Sequence, residues 1–382
     1  MTKKTTINLF LFCILMIGIS SGIFRSIFNN YLKEVHLFTG AERGILEFPR
    51  EIFGFFIVFI LGGLYFIRET KLIIWGIFIS GLSYLGFAFF AFNKFYLIFW
   101  VLIWSLGSHI VVSLRSSFGL LIADSKNKGH FFGKMAAMAS VGFIIGTVLV
   151  GLTFSYLGFK FSFLMAFIFA LVNAVVFNSL PIYKHFNLHQ RNRFIFKKSY
   201  FHYYVLSSLF GIRKQLFLVF APWFIVEILN QGANIIAIIL FVSAVLGIYL
   251  KPLLGKLIDF WGERKVLIYD GLFLAIISFG YIVMPYFFDG IILLCAASFF
   301  FIVDEILFAL KNAREIYLHK IVESEKDITS TIATGLSLEH IISMTTPILA
   351  GYVWLIYGYQ WVFAFCGILA IFTMWYVYKF IK

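Results

Sequence analysis

Charged residues, cysteine and proline are all scarce in this chain of 382 residues. Only 13% of the residues are Asp, Glu, Lys or Arg, whereas a soluble domain carries about 25%. Apolar residues make up 62%, the mean hydropathy is +0.96, and the apolar residues form long blocks. This composition excludes a soluble globular protein and predicts a polytopic membrane protein.

The cysteines also exclude several kinds of site. Cys13, Cys295 and Cys366 lie in apolar runs, and no C-x-x-C or Cys/His ligand spacing occurs. We therefore expect no disulfide framework, no metal site and no cofactor. Enzyme patterns such as H-E-x-x-H, D-D-x-x-D and G-x-S-x-G do not stand out either. An integral-membrane enzyme, for example a lipid-linked transferase, remains an alternative, although no catalytic cluster is recognisable in the sequence.

Twelve apolar runs are long enough to cross a bilayer core, which is about 30 Å thick and needs about 20 helical residues. They cover residues 7–32, 44–66, 72–92, 96–122, 133–157, 160–182, 202–228, 233–254, 266–286, 290–312, 329–356 and 359–380. The predicted fold is therefore all-α, with twelve transmembrane helices.

The net charge of +13 follows the positive-inside rule and does not indicate nucleic-acid binding. On one side of the predicted spans, the turns hold most of the Lys and Arg residues. The turns of the other side hold only Lys33, Arg43, Lys94 and Lys160. We expect an inner-membrane protein with both termini in the cytoplasm.

The two halves of the chain resemble each other. Residues 157–163 match residues 357–363, with Gly158 opposite Gly358, and Gly151 matches Gly351 at the same offset. The basic segment between the halves predicts a cytoplasmic linker at 183–201. It separates an N-terminal six-helix bundle at 1–182 from a C-terminal six-helix bundle at 202–382.

Residues 255–265 carry the most specific motif, G-x-x-x-D-x-x-G-x-R-K, between two predicted helices. Glycine permits the backbone angles that end a helix, and Asp259 could accept hydrogen bonds from the N-terminus of a neighbouring helix. This segment resembles the loop signature of the major facilitator superfamily of transporters. The resemblance implies two pseudo-symmetric six-helix bundles and a conformational latch formed by Gly255, Asp259, Gly262 and Arg264. The matching turn of the first half, 61–71, has no Asp at the acidic position.

Charged and polar side chains within the predicted spans are the candidate site residues, because a charge at bilayer depth costs at least about 2.5–3.5 kcal/mol. The candidates for substrate binding or coupling are Arg25, Asn29, Arg115, Arg213, Lys214, Trp223, Asp304, Glu305, Tyr317, Glu339 and His340. Arg115 and Gly119 also resemble a helix 4 motif of the superfamily whose Arg is linked to proton coupling. Glu47, Arg50 and Glu51 share one side of a helix and are better explained as structural ion pairs.

The predicted function is secondary active transport of a small solute by alternating access. Acids at depth and His340 favour coupling to protons, and the slight excess of cations favours an anionic or zwitterionic solute. Efflux of amphipathic compounds is a second possible function, and a transporter-like sensor or scaffold is a third. We expect a monomer whose partners are the solute, protons and lipid.

Overall fold

The computed structural model describes residues 2–64, 66–122, 128–180 and 196–381, and these residues are helical almost throughout, with no β-strand. In chain order the helices are α1 (Lys3–Asn30), α2 (Gly40–Ile45), α3 (Glu47–Gly63), α4 (Glu69–Phe89), α5 (Lys94–Ile122), α6 (Lys128–Asn178), α7 (Phe201–Glu227), α8 (Ala233–Trp261), α9 (Glu263–Phe287), α10 (Gly290–Leu307), α11 (Asn312–Ile321), α12 (Glu325–Tyr357) and α13 (Tyr359–Phe380).

Ten helical stretches of the described residues are long and apolar enough to cross a membrane. The longest, Phe131–Asn178, has 48 residues, more than twice the length that a bilayer core needs. It is interrupted at Gly158, where the backbone leaves the helical region. The chain is a multi-pass membrane protein, as its composition predicts.

The glycines at the repeat positions have the same backbone role in both halves. Gly158 has a φ of +66° inside α6, and Gly358 has a φ of +94° between α12 and α13. A side chain is disfavoured at such angles. The sequence match between 157–163 and 357–363 thus corresponds to the same sharp change of chain direction.

Two compact units make up the chain. Unit 1 comprises Met1–Leu37, Pro49–His189 and Gly232–Ala244, and unit 2 comprises Phe38–Phe48, Gln190–Gln231 and Val245–Lys382. The predicted linker lies mostly outside the described residues, so its position stays a prediction.

In unit 1, α1 packs along α6 at very short distance. Gly18 and Gly22 of α1 face Gly142 and Gly146 of α6, and a Cβ on Gly142 would lie 2.1 Å from the Leu15 carbonyl oxygen. Small residues four apart allow such close crossing of membrane helices. Phe10, Phe118 and Phe177 fill the space beside this crossing.

In unit 2, aromatic side chains from four helices form the packed core. Tyr281 of α9 stacks on Phe363 of α13 with ring centroids 4.3 Å apart. Phe224 of α7 and Trp354 of α12 contact the same Phe363 ring. These contacts hold α7, α9, α12 and α13 together near one end of the unit.

Two predicted boundaries are wrong. Helix α8 continues to Trp261, so residues 255–261 are helical and the turn is confined to Gly262, which has a φ of +78°. The span predicted at 290–312 changes at Phe308–Lys311 into a 3₁₀ segment, and α11 follows. No glycine or proline lies within 308–311, so the local sequence gives no signal for this change.

An ion pair outside the membrane spans joins the residues before α7 to the start of α12. Lys197 Nζ lies 2.5 Å from Asp327 Oδ2, and the Tyr200 hydroxyl donates to the same oxygen. The hydrogen bonds from Lys197 and Tyr200 lower the pKa of Asp327. The hydrogen bond to Asp327 in turn raises the pKa of Lys197.

Candidate functional site

Arg213 of α7 binds two carboxylates from two other helices of unit 2. Its Nη1 lies 3.0 Å from Asp270 Oδ2 on α9, and its Nη2 lies 3.1 Å from Asp304 Oδ1 on α10. The Arg213 side chain is only 6% exposed, and all three residues belong to candidate membrane spans. One guanidinium therefore connects three membrane helices.

A second ion pair lies beside the first. Arg314 of α11 donates to Glu339 Oε1 of α12 at 2.9 Å, and both side chains are largely buried. The Arg314 guanidinium carbon is 3.8 Å from the centroid of the Phe210 ring, and that of Arg213 is 5.8 Å from the same centroid. Phe210 thus contacts both arginines, and we call Arg213, Asp270, Asp304, Arg314 and Glu339 the arginine cluster.

A small cavity of about 30 Å³ opens onto the arginine cluster, and its lining includes Phe210, Arg213, Asp270, Arg314 and Thr373. This volume accommodates about two water molecules and is too small for an organic solute. Asp270 Oδ1 and Arg314 Nε are buried and have no hydrogen-bond partner among the described residues. The cavity thus brings an unused acceptor and an unused donor together.

The arginine cluster does not balance its charges. It contains two cations, Arg213 and Arg314, and three acids, Asp270, Asp304 and Glu339. If all five groups are ionised, one negative charge is left over. A buried uncompensated charge is costly, so such a cluster favours the uptake of one positive charge.

Two members of the cluster, Asp270 and Arg314, are not among the candidates of the sequence analysis. Asp270 lies in the apolar run that begins at Val266, and its charge within a predicted span is the signal that indicates it. Asp304 and Arg213 were predicted candidates, and they form an ion pair here. Glu305, the neighbour of Asp304, is half-buried.

Two other candidate cations lie inside membrane spans without an ion pair to any described residue. Lys214 of α7 and Arg115 of α5 are both half-buried. Each belongs to a different unit. An unpaired cation at this depth is expensive unless water or a bound anion compensates it.

Glu47 forms a buried ion pair with Arg43, a residue that the predicted ion-pair group of Glu47, Arg50 and Glu51 did not include. It is fully buried in unit 2, pairs with Arg43 at 2.6 Å and accepts a hydrogen bond from the Gln215 amide of α7. In unit 1, the Arg50 guanidinium lies 5.7 Å from the Trp104 ring centroid, and Glu51 is half-buried.

The remaining polar candidates occupy varied positions. Trp223 is fully buried, and its indole nitrogen donates to Glu227 at 2.7 Å. Tyr317 and Asn29 are buried in α11 and α1, and His340 is half-buried in α12. Arg25 of α1 lies 5.6 Å from the Phe143 ring centroid.

The motif at 255–265 is mostly the last two turns of α8. Asp259 is exposed and has no hydrogen bond or ion pair with the described residues. Arg264 donates to the Tyr378 carbonyl oxygen at 2.6 Å, which ties the start of α9 to the end of α13. Asp259 therefore makes no contact with the described residues that would support a latch in this conformation, and its latch role stays a prediction.

A comparison with protein families shows to which family the chain belongs. The profile of the Major Facilitator Superfamily matches residues 10–310, most of the sequence. The chain belongs to the major facilitator superfamily. No curated protein matches it in sequence. Members of this family are membrane transporters rather than enzymes, as the sequence analysis predicts.

Solved structures of transporters have the same fold. The nucleoside transporter NupG has a TM-score of 0.76 and 15% identity, and the match covers 100% of both chains. A D-xylose-proton symporter gives 0.73 and 15% over 100% of this chain and 98% of that chain. A bacterial homologue of the iron transporter ferroportin gives 0.75 and 12% over 99% of both chains. At these identities the matches establish the fold of the superfamily alone.

Proposed function

We propose that the chain is a secondary active transporter that moves a small solute across the membrane and couples this movement to protons. The observation that carries the proposal is the arginine cluster, in which five charged side chains from five helices lie within membrane spans. Three of them, Arg213, Asp270 and Arg314, line a small cavity. Charges at this depth normally serve substrate or ion pathways. A proton symporter among the structural neighbours is consistent with the coupling.

We propose further that the solute is anionic or zwitterionic. Lys214 and Arg115 are half-buried and have no ion pair among the described residues, so each has a positive charge to offer. The arginine cluster contributes no free cation, because Arg213 and Arg314 are already paired. A carboxylate or phosphate on the solute would therefore pair with Lys214, the unpaired cation of α7.

The proposed orientation places both termini and the 183–201 linker in the cytoplasm, with six-helix bundles at 1–182 and 202–382. In this arrangement, Gly255, Asp259, Gly262 and Arg264 act as a latch that stabilises one closed state. The transporter works as a monomer in an inner membrane. The distribution of Lys and Arg along the sequence supports the orientation.

The experiment that tests the proposal begins with a thermal-shift screen of the purified protein against nucleosides, sugars, amino acids and organic acids at two pH values. A bound solute raises the melting temperature, because it stabilises the native state. Uptake of the solutes found is then measured in proteoliposomes with and without an imposed pH gradient. Uptake that ignores the gradient would contradict proton coupling.

Replacement of Lys214 by Met tests the charge of the solute. For an anionic solute we expect KM to rise about tenfold or more, because a hydrogen bond to a charged group contributes about 1.5–3 kcal/mol. Lys251→Met is the matched control, since Lys251 is an exposed lysine of α8 without an ion pair to the described residues. An unchanged KM in Lys214→Met would reject the anionic solute.

A further inference from the structure

We propose that Asp304 takes up and releases the coupling proton, and that Asp270 stays ionised and holds Arg213 when Asp304 is neutral. The inference rests on the proposed function, since it names the group that would carry the proton. The step is a simple protonation. A proton adds to the Asp304 carboxylate, and its interaction with Arg213 weakens while the interaction of Arg213 with Asp270 remains.

The first argument is the charge left over in the arginine cluster. Two arginines face three acids, so the binding of one proton makes the cluster neutral. A neutral cluster lowers the cost of burial inside a membrane, where water does not compensate charge. The question is which of the three acids takes the proton.

The surroundings of the three acids differ. Asp270 is paired with Arg213 and lines the same cavity as Arg314, so two cations stabilise its charge. Glu339 is paired with Arg314, which no other described acid shares as an ion pair. Among the residues that the structure describes, Asp304 forms an ion pair only with Arg213, which it shares with Asp270, and Glu305 follows it in the chain. The negative charge is therefore least stabilised on Asp304.

Within the described part of the chain, no other helix contributes a cation that forms an ion pair with Asp304. The titratable groups near Asp304 from α9 are Asp270 and Tyr281, and α13 contributes Cys366. Tyr and Cys have reference pKa values of about 10 and 8.5 and are neutral near pH 7. Lys311, beyond the end of α10, is exposed, and its ammonium lies over the Phe308 ring. Arg213 thus remains the one cation bound to Asp304 among the described residues.

Asp270 also has the geometry of a permanent counter-ion. Its Oδ2 accepts from Arg213, its buried Oδ1 has no hydrogen-bond partner among the described residues, and the residue lines the cavity. A carboxylate that keeps one oxygen on Arg213 continues to bind this side chain after Asp304 becomes neutral. Arg213 then stays connected to α9 while α10 is released from it.

Infrared difference spectroscopy of the purified protein tests this assignment with the proton as the only ligand. A pH titration follows the C=O stretch of carboxylic acids, which appears only when a carboxylate is protonated. Exposed acids of the chain also titrate, so the spectrum of each variant is subtracted from that of the wild type. We expect Asp304→Asn to lose one titrating band, which belongs to Asp304. Asp289→Asn is the matched control, because Asp289 is an exposed acid outside the cluster, and it should leave the band unchanged.

The Asp270→Asn variant makes the test decisive. It removes the surplus negative charge, so we expect the band of Asp304 to remain and its midpoint to move to lower pH. Loss of the band in Asp270→Asn, or an unchanged or higher midpoint, would overturn the assignment. Circular dichroism and size-exclusion chromatography show whether Asp304→Asn folds. If it does not fold, the midpoint measured in Asp270→Asn decides the assignment.

A sodium titration separates the proton from another small cation. Replacement of N-methylglucamine chloride by sodium chloride at constant ionic strength should leave the midpoint unchanged. A midpoint that falls with sodium concentration would assign the surplus charge to a metal cation and overturn the proposal. Because no solute is present, the band tests Asp304 separately from transport, and uptake without this band would remove only the assignment of Asp304.

Discussion

Single buried charges decide much of the chemistry of this transporter. Glu47 has no exposed surface, and its carboxylate uses Arg43 and Gln215 as partners. A pair of this kind contributes little compared with two well-packed apolar residues, but the removal of one partner leaves a buried charge without compensation. The ion pair between Arg43 and Glu47 should therefore affect stability strongly when one partner is replaced and weakly when both are replaced.

We expect Arg43→Met to lower the free energy of unfolding by about 3–5 kcal/mol, because the substitution breaks the buried ion pair between Arg43 and Glu47. The double variant Arg43→Met/Glu47→Leu should recover most of this loss, since it removes both charges. Chemical denaturation in detergent micelles measures both values in a double-mutant cycle. Equal losses in the single and the double variant would contradict the argument.

The candidate site could be predicted from the sequence only in part, and individual residues show why. Arg213 and Asp304 are charges in apolar runs, and this signal identified both. Asp270 gives the same signal, since it lies four residues after the start of the apolar run at Val266. Trp223 was a candidate for contact with the solute, yet Glu227 binds its indole nitrogen. The spacing of residues in the sequence shows which side chains share a helix face. It does not show which hydrogen-bond partners these side chains have in the folded protein.

At the scale of helices, close crossings depend on glycine. Gly142 of α6 lies against the backbone of α1, and an added side chain would collide with the Leu15 carbonyl oxygen. The two helices would have to separate, and the contacts along their whole crossing would weaken.

We expect Gly142→Val to lower the stability of the protein by about 1–3 kcal/mol, the usual cost of overpacking. Gly151→Val is the matched control in the same helix, because nothing lies within 4 Å of a Cβ at Gly151. Melting temperatures in detergent compare the two variants. Equal melting temperatures would show that the crossing adapts to the larger side chain.

Apart from the end of α8 and the break after α10, the described helices lie within a few residues of the predicted spans, because apolar runs of about 20 residues are a strong signal. The repeat also identified Gly158 and Gly358, whose positive φ angles no other residue type adopts easily. The extension of α8 through Gly255 was not predicted, since glycine ends some helices and is tolerated within others. Residues 255–261 are the last turns of α8 and not the loop that the motif predicted.

At the scale of the whole molecule, the transport cycle requires at least one other conformation. Asp259 is the residue that reports on it. Its carboxylate is exposed and has no partner among the described residues, so it contributes no contact to the present state. A latch role can therefore belong only to another state of the cycle.

We expect Asp259→Asn to slow transport and to leave expression and the melting temperature unchanged. The reason is that the substitution removes a contact of another state and none of this one. Initial uptake rates in proteoliposomes provide the measurement, and Asp289→Asn serves again as an exposed control. Normal uptake in Asp259→Asn would remove the latch role.

The 3₁₀ segment Phe308–Lys311 has a mechanical consequence. Asp304 lies just before it and is anchored to α7, whereas Arg314 lies just after it and is anchored to α12. Short 3₁₀ stretches within a span often act as pivots. The span is therefore fixed by one ion pair on each side of a flexible 3₁₀ segment. If the pair between Asp304 and Arg213 breaks, α10 can bend at this segment while the pair between Arg314 and Glu339 holds α11 in place.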